Sequence, residues 1–190
     1  MFVRKVGILG GTFDPIHHGH LIIADQVLAS LSLDEVRFMP NALPPHKARA
    51  ATTKEDRLKM IELAIQNHPG FRVETIELMR KGKSYTYDTM VLLTEREPDS
   101  EFYFIIGADM IDYLPNWYRI DDLLSLVKFV GVNRPGYAGE TSYPIIHVEI
   151  PMIDLSSSLI REKIKNGESI RYLVPDAVIQ YIKEHRLYET

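Results

Sequence analysis

The sequence contains no cysteine. That removes disulfides, thiolate zinc sites and a cysteine nucleophile from consideration, and it suits a reducing cytoplasm. No run approaches the ~20 consecutive apolar residues that a membrane helix needs. The first apolar stretch, Val6 to Leu9, is too short for a secretory signal and leads directly into Gly10-Gly11. An excess of positive charge is missing as well. Twenty-two Lys and Arg stand against 26 Asp and Glu, a formal net charge of -4, which argues against a nucleic-acid-binding surface. There is no internal repeat, low-complexity tract or obvious linker. The fingerprint G-x-G-x-x-G is also absent, and this counts against a nicotinamide-dependent dehydrogenase.

What is present is 190 residues, 45% hydrophobic and 25% charged, enough for one globular domain over 1–190 with its own core. Apolar runs at 3–9, 36–39, 101–106 and 126–132 stop at Gly, Pro or Asn and predict buried strands. Further strands are expected at 71–78 and 145–149. Helical spacing predicts helices at 21–31, 54–66, 86–96, 157–166 and 175–185. This alternation implies an α/β fold: a Rossmann-like doubly wound parallel sheet in a single domain, with a small C-terminal helical portion. Ligands of such sheets lie beyond the carboxyl ends of the strands, where strand order reverses. The chemically loaded clusters of this sequence fall just after predicted strands.

The first cluster joins the first strand to the first helix. Gly10 and Gly11 let backbone approach a ligand, and the sequence continues Thr12-Phe13-Asp14-Pro15-Ile16-His17-His18-Gly19-His20. A helix opening near Gly19 offers N–H groups and a partial positive charge to an anion. His17 and His20, three apart, fit one side of its first turn, and Gly19 leaves no side chain between them. Glycines that serve only the turn are the bland alternative. Three histidines in four residues favour a phosphate site, and no further cluster supports a protein-bound metal.

A second cluster, Leu155-Ser156-Ser157-Ser158-Leu159-Ile160-Arg161, precedes a predicted helix. One serine suffices for an N-cap. Three serines with Arg161 close behind also make a clamp for polyphosphate.

Together the two clusters resemble the paired signatures of the HxGH nucleotidyltransferases, the second departing only by Leu155 for Ile and Ser158 for Thr. The resemblance implies transfer of AMP from ATP to a phosphate acceptor, with pyrophosphate released. The implied catalytic residues are His17, His20, Ser157 and Arg161, with His20 protonated beside the phosphates. ATP is expected at Gly10, Gly11, Thr12, Phe13, Gly19, His20, Gly107, Asp109, Ser156, Ser157, Ser158 and Arg161. Magnesium is expected on the ATP phosphates, with few direct protein contacts.

Further segments are similar to the nicotinate-nucleotide adenylyltransferase family within that superfamily, and this likeness spans essentially the whole chain. Asn41 to Lys47 is Pro-rich, and its His46 and Lys47 suit a phosphate or a solvated loop equally. Tyr85 and Thr86 open the third predicted helix, whose N–H groups would favour a carboxylate over an amide. In the family the corresponding region contacts the acidic pyridine ring. Trp117 beside Tyr118 reads either as core packing or as a platform for that ring, and the resemblance implies the second. It also gives Asp109 a role in ordering nucleotide and loop. Arg134 is placed like another phosphate contact, or is a surface Arg flanking a turn. The acceptor-site expectation is therefore Asn41, His46, Lys47, Tyr85, Thr86, Asp109, Trp117, Tyr118 and Arg134, with nicotinate mononucleotide and ATP as partners. Neither nucleic acid nor membrane is expected, and oligomeric state stays open, a homodimer included. Competing readings are a phosphopantetheine adenylyltransferase, a cytidylyltransferase, and a nucleotide-binding module without turnover.

Overall fold

The computed structural model describes residues 3–41, 50–80, 85–133, 141–151 and 153–189, with Ala108, Asp109 and Asn133 described by backbone alone. His46, Lys47 and Arg134 therefore lie outside the described residues. Six strands form one all-parallel sheet: β1 (Arg4–Gly11), β2 (Glu35–Pro40), β3 (Phe71–Val73), β4 (Ser100–Gly107), β5 (Val127–Asn133) and β6 (Ile145–Glu149). Their order is β3-β2-β1-β4-β5-β6, that of the dinucleotide-binding doubly wound sheet. The chain runs outward from β1 to β3, returns beside β1 as β4, and runs outward again to β6. Strand order thus reverses between β1 and β4, and a crevice opens there past Gly11 and Gly107.

Parallel strands need crossovers, and helices supply them on both faces. These are α1 (His18–Ser30), α2 (Lys54–Ile65), α3 (Ile76–Met79), α4 (Thr86–Arg96), α5 (Ala108–Ile111), α6 (Ile120–Leu126), α7 (Ser157–Lys165) and α8 (Asp176–Glu184). The period-two alternation of the strands sorts their side chains between two cores. Leu9, Val36, Phe38, Tyr103, Ile105 and Val130 meet α1, α2, α7 and α8. Ile8, Met39, Phe102, Phe104 and Phe129 meet α4 and α6. Glu35 and Arg37 share the second face with Met39. Arg37 is held there by Glu35 at 2.6 Å and by both carboxylate oxygens of Glu97 at 2.7 Å.

Most predicted elements stand within a residue or two of their expected bounds. The 71–78 strand does not. It ends at Val73, because the Glu74 carboxylate accepts the Ile76 N–H at 3.1 Å and Leu78 N–H bonds back to Thr75, which turns 76–79 into a helix. The sequence also concealed α5 and α6. Arg119, in the left-handed region at φ 53°, opens α6, whose last residue Leu126 the apolar run had assigned to β5. The expected C-terminal helical portion is α7 and α8. It packs on the α1–α2 face rather than standing apart, and the Tyr181 hydroxyl donates to Asp56 of α2 at 2.9 Å.

Candidate active site

β1 ends at the switch point, and the loop that follows it is held open by its own side chains. A Cβ on Gly11 would lie 2.8 Å from the Phe13 ring, so only glycine fits. Phe13 adopts φ 51° and sends that ring into the core, 1% exposed, edge-on beneath His20 at 4.9 Å. The ring supports His20 from below, which leaves the backbone of Phe13 as its face toward the crevice. His17 caps α1 in extended conformation, and its imidazole stacks on that of His20 with centroids 3.7 Å apart. Gly19 permits the stacking, since its Cβ would stand 3.0 Å from His17 Nδ1 and 3.1 Å from Cε1.

The two imidazoles differ in electrostatic environment. His17 is buried, and burial, aided by the neighbouring His18, lowers its pKa to about 4, so the ring is neutral near pH 7. His20 Nδ1 accepts the His17 backbone N–H at 3.3 Å, which places the hydrogen of a neutral ring on Nε2. The α1 N-terminus is also less open than expected. His18 N–H donates to the Leu173 carbonyl at 3.0 Å, and His20 N–H to that of His17 at 3.0 Å.

The second cluster locks onto the first. The Ser157 hydroxyl donates to the Pro15 carbonyl at 2.8 Å, and Arg161 Nη1 to the Asp14 carbonyl at 2.8 Å. Arg161 Nη2 donates to the Ser158 hydroxyl at 3.1 Å. The fold thus brings the two signatures into direct contact at the crevice. The three serines divide their labour. Ser156 is the N-cap of α7, accepting Leu159 N–H at 3.2 Å. Ser157 has one hydrogen, and Pro15 receives it. Arg161 carries five N–H groups and commits only part of them to these bonds, so it is the better phosphate donor of the cluster.

On the acceptor side, Asn41 follows β2, with its N–H bonded to the Gly11 carbonyl at 3.0 Å. Its carbonyl accepts from Arg57 Nη1 at 2.8 Å, and the Thr12 carbonyl accepts from the same nitrogen at 2.9 Å. Four buried side-chain atoms have no partner among the described residues: Thr12 Oγ1, His17 Nδ1, Asn41 Oδ1 and Arg57 Nε. Buried polar groups are nearly always satisfied, and these four gather around one loop. Across the crevice, Tyr85 caps α4 and Thr86 is its first residue. The Tyr85 ring lies 4.8 Å from that of the exposed Tyr118, and the Arg119 guanidinium covers Tyr87 at 4.1 Å. Trp117 is half-buried, with its indole edge-on to Phe104 and Phe129 at 5.8 Å each. Core packing is therefore part of its role. Gly107 caps α5 at the end of β4, and Asp109 lies in α5 with only its backbone described.

Asp14 and Arg57 are the residues that sequence reasoning missed. Arg57 had a signal, since it occupies the apolar face of α2 one turn before Ile61 and is 2% exposed. A lone cation on that stripe must find buried acceptors.

Comparison with known proteins agrees with this geometry. A model of the cytidylyltransferase-like family matches residues 8–163. The crevice and its two signatures thus define a protein of the cytidylyltransferase-like class. A Geobacillus thermodenitrificans protein is 60% identical over 185 residues, 97% of this chain and 86% of its own length. One from Oceanobacillus iheyensis is 54% identical over 186 residues, 98% and 97% respectively. Both bear the name "Probable nicotinate-nucleotide adenylyltransferase". The chain belongs to the nicotinate-nucleotide adenylyltransferase family. Its fold is that of the Plasmodium falciparum nicotinic acid mononucleotide adenylyltransferase, solved in complex with NaAD: TM-score 0.81, 23% identity, 98% of each chain covered. The same enzyme complexed with APC gives a TM-score of 0.82 at 22% identity, again with 98% of each chain covered.

Proposed function

We propose that this protein transfers AMP from ATP to nicotinate mononucleotide, forming nicotinate adenine dinucleotide and pyrophosphate in NAD biosynthesis. The observation that carries the reading is the interlock of Arg161 and Ser157 with the Asp14 and Pro15 carbonyls, beside four orphaned polar atoms. Family membership selects the acceptor.

The chemistry demands little covalent help. A phosphate oxygen of the mononucleotide attacks the α-phosphorus of ATP in line. The new P–O bond forms as the bond from the α-phosphorus to the bridging oxygen breaks, and the electron pair leaves with pyrophosphate. The attacking oxygen is already anionic, so no general base is needed. The protein's task is alignment and stabilisation of growing charge. In this reading His20 donates from Nε2, Arg161 from its remaining N–H groups, and Gly10, Gly11, Gly19 and Gly107 admit the nucleotide to backbone. Neutral His17 holds the His20 ring in place and offers Nδ1 inside the site. Thr12, Asp109, Ser156 and Ser158 complete the ATP side.

The acceptor lies between Asn41, with His46, Lys47 and Arg134 on its phosphate, and the Tyr85, Thr86, Trp117 and Tyr118 wall. Imidazole, guanidinium, hydroxyl and amide donors suit phosphate and not a hard cation, which takes oxygen ligands. Magnesium would accordingly be held through the ATP phosphates and would supply neutralisation of their charge. No described helix is long and apolar enough to cross a membrane, and we place the activity in the cytoplasm, where both substrates are available.

Pyrophosphate release from ATP and magnesium tests the proposal, with nicotinate mononucleotide, nicotinamide mononucleotide and phosphopantetheine compared as acceptors. Preference for the nicotinate form is expected. Release only with another acceptor overturns the substrate, and release with none overturns the reaction.

A further inference from the structure

Asp14 is 3% exposed, and its carboxylate is taken up by donors outside the two signatures. Three donors from two distant segments converge on it. Ala51 N–H reaches Oδ2 at 2.6 Å, while the Thr52 hydroxyl at 2.6 Å and the Tyr188 hydroxyl at 2.7 Å both reach Oδ1. Meanwhile its backbone carbonyl receives Arg161. One residue therefore ties together the first signature, the second signature, the segment that leads into α2, and the segment that follows α8. The position of Ala51 gives this arrangement its consequence. Residues 41 and 50–52 are the two stems of the acceptor-side segment. The first stem is pinned by Gly11 and Arg57, and the second by Asp14. Bonds from neutral donors to a buried carboxylate are charge-assisted and stronger than ordinary ones. An ion that meets the 51–52 stem through its carboxylate and Arg161 through its carbonyl gives both a single fixed geometry.

We infer that Asp14 is a positioning residue for the transfer, and that Tyr188 is a strap that holds its carboxylate and, through it, the 50–52 stem. Tyr188 is built for this task. Its ring packs on the core shared by α2 and α8, and burial followed by the Asp14 charge raises its pKa, so it remains a neutral donor. Its backbone lies at φ 66°, a conformation the chain adopts to turn the side chain inward. Neither residue touches the reacting atoms, and both act through Arg161 and the stem.

The inference rests on the transfer reading for its kinetic part and on geometry for the rest, so two measurements are combined. Tyr188→Phe keeps the ring and removes one hydrogen bond. It should speed exchange of the Ala51 amide about tenfold and lower kcat about tenfold, while both KM values stay within about twofold. Asp14→Ala removes all three bonds and should lower kcat by about 100-fold, with Asp14→Asn recovering most of it by accepting from Ala51 and donating to the hydroxyls. A strap that merely stabilises the fold would lower Tm and leave kcat per folded molecule unchanged. Unchanged Ala51 exchange and unchanged kcat in folded Tyr188→Phe overturn the inference. If Asp14→Ala does not fold, Tyr188→Phe and Thr52→Val decide alone. If the wild-type protein releases no pyrophosphate, the transfer reading fails by itself, and Ala51 exchange still decides the strap.

Discussion

Replacing His17 by Gln should change the acid sensitivity of the fold in a predictable direction. In the folded protein His17 titrates at about 4 because it is buried, against 6.5 for the same ring in water. Between those values the unfolded chain binds a proton that the folded chain refuses, so stability rises with pH there. The contribution is fully present above pH 6.5 and is lost as pH falls toward 4. The whole span corresponds to about 3 kcal/mol, and about 2 kcal/mol of it is already gone at pH 5. The Gln variant has no such proton and should lack this slope, whatever its stability at pH 7. Urea denaturation at pH 7 and pH 5 measures it. With an m value of about 2 kcal/mol/M, the wild-type midpoint should fall about 1 M further than that of the variant. Glu97 cannot imitate the effect. The Arg37 hydrogen bond, outweighing burial, lowers its pKa to about 2, so its own stability contribution is lost only as pH falls from 4.5 toward 2. Equal midpoint shifts in both proteins would mean that His17 is not held neutral by burial, and the assignment of distinct roles to the two histidines would fall with it.

Three other substitutions probe separate parts of the argument. Gly19→Ala sets a Cβ 3.0 Å from the buried His17 ring and drives it aside, so it should cut kcat per folded molecule at least about tenfold; unchanged kcat would contradict that. Arg161→Lys keeps the charge but cannot hold the Asp14 carbonyl, Ser158 and a phosphate together, so kcat in pyrophosphate release should fall by about 10²–10³. A drop smaller than about threefold would remove Arg161 from the clamp. Arg37→Met removes the cation shared by Glu35, Glu74 and Glu97 but leaves Arg4 on Glu35 and Arg96 on Glu74 and Glu97, so it should cost about 1–3 kcal/mol in urea denaturation at pH 7, with kcat of the folded fraction unaffected.

The fold was largely legible because a parallel sheet buried on both faces writes continuous apolar runs, and the turns after them carry Gly or Pro. The elements that escaped are those governed by single contacts. β3 stops at Val73 because the Glu74 side chain caps the next turn, and no apolar pattern registers one carboxylate. The seven residues of α6 are too few for a helical period to stand out beside the β5 run that follows. For the site, the residues proposed to surround phosphate stood out because glycine, histidine and arginine are uncommon together. What those residues do to one another was not. Phe13 lies inside the first signature, and no pattern of letters shows that its left-handed backbone turns the ring under His20. Ser156, Ser157 and Ser158 were equivalent as letters and differ by one helical position each. In the structure these positions separate a cap, a loop anchor and an arginine partner.

Asp14 sharpens the point. Its side chain and its carbonyl serve different partners, and those partners are drawn from residues 51, 52, 161 and 188. A local motif reading ranks it below the histidines because a carboxylate beside a phosphate site is electrostatically unwelcome. In the fold the carboxylate is occupied by three donors from residues 51, 52 and 188, while the carbonyl of the same residue is covered by Arg161. A negative charge is thus tolerated in a loop rich in glycine and histidine because neutral donors drawn from distant parts of the chain already meet it.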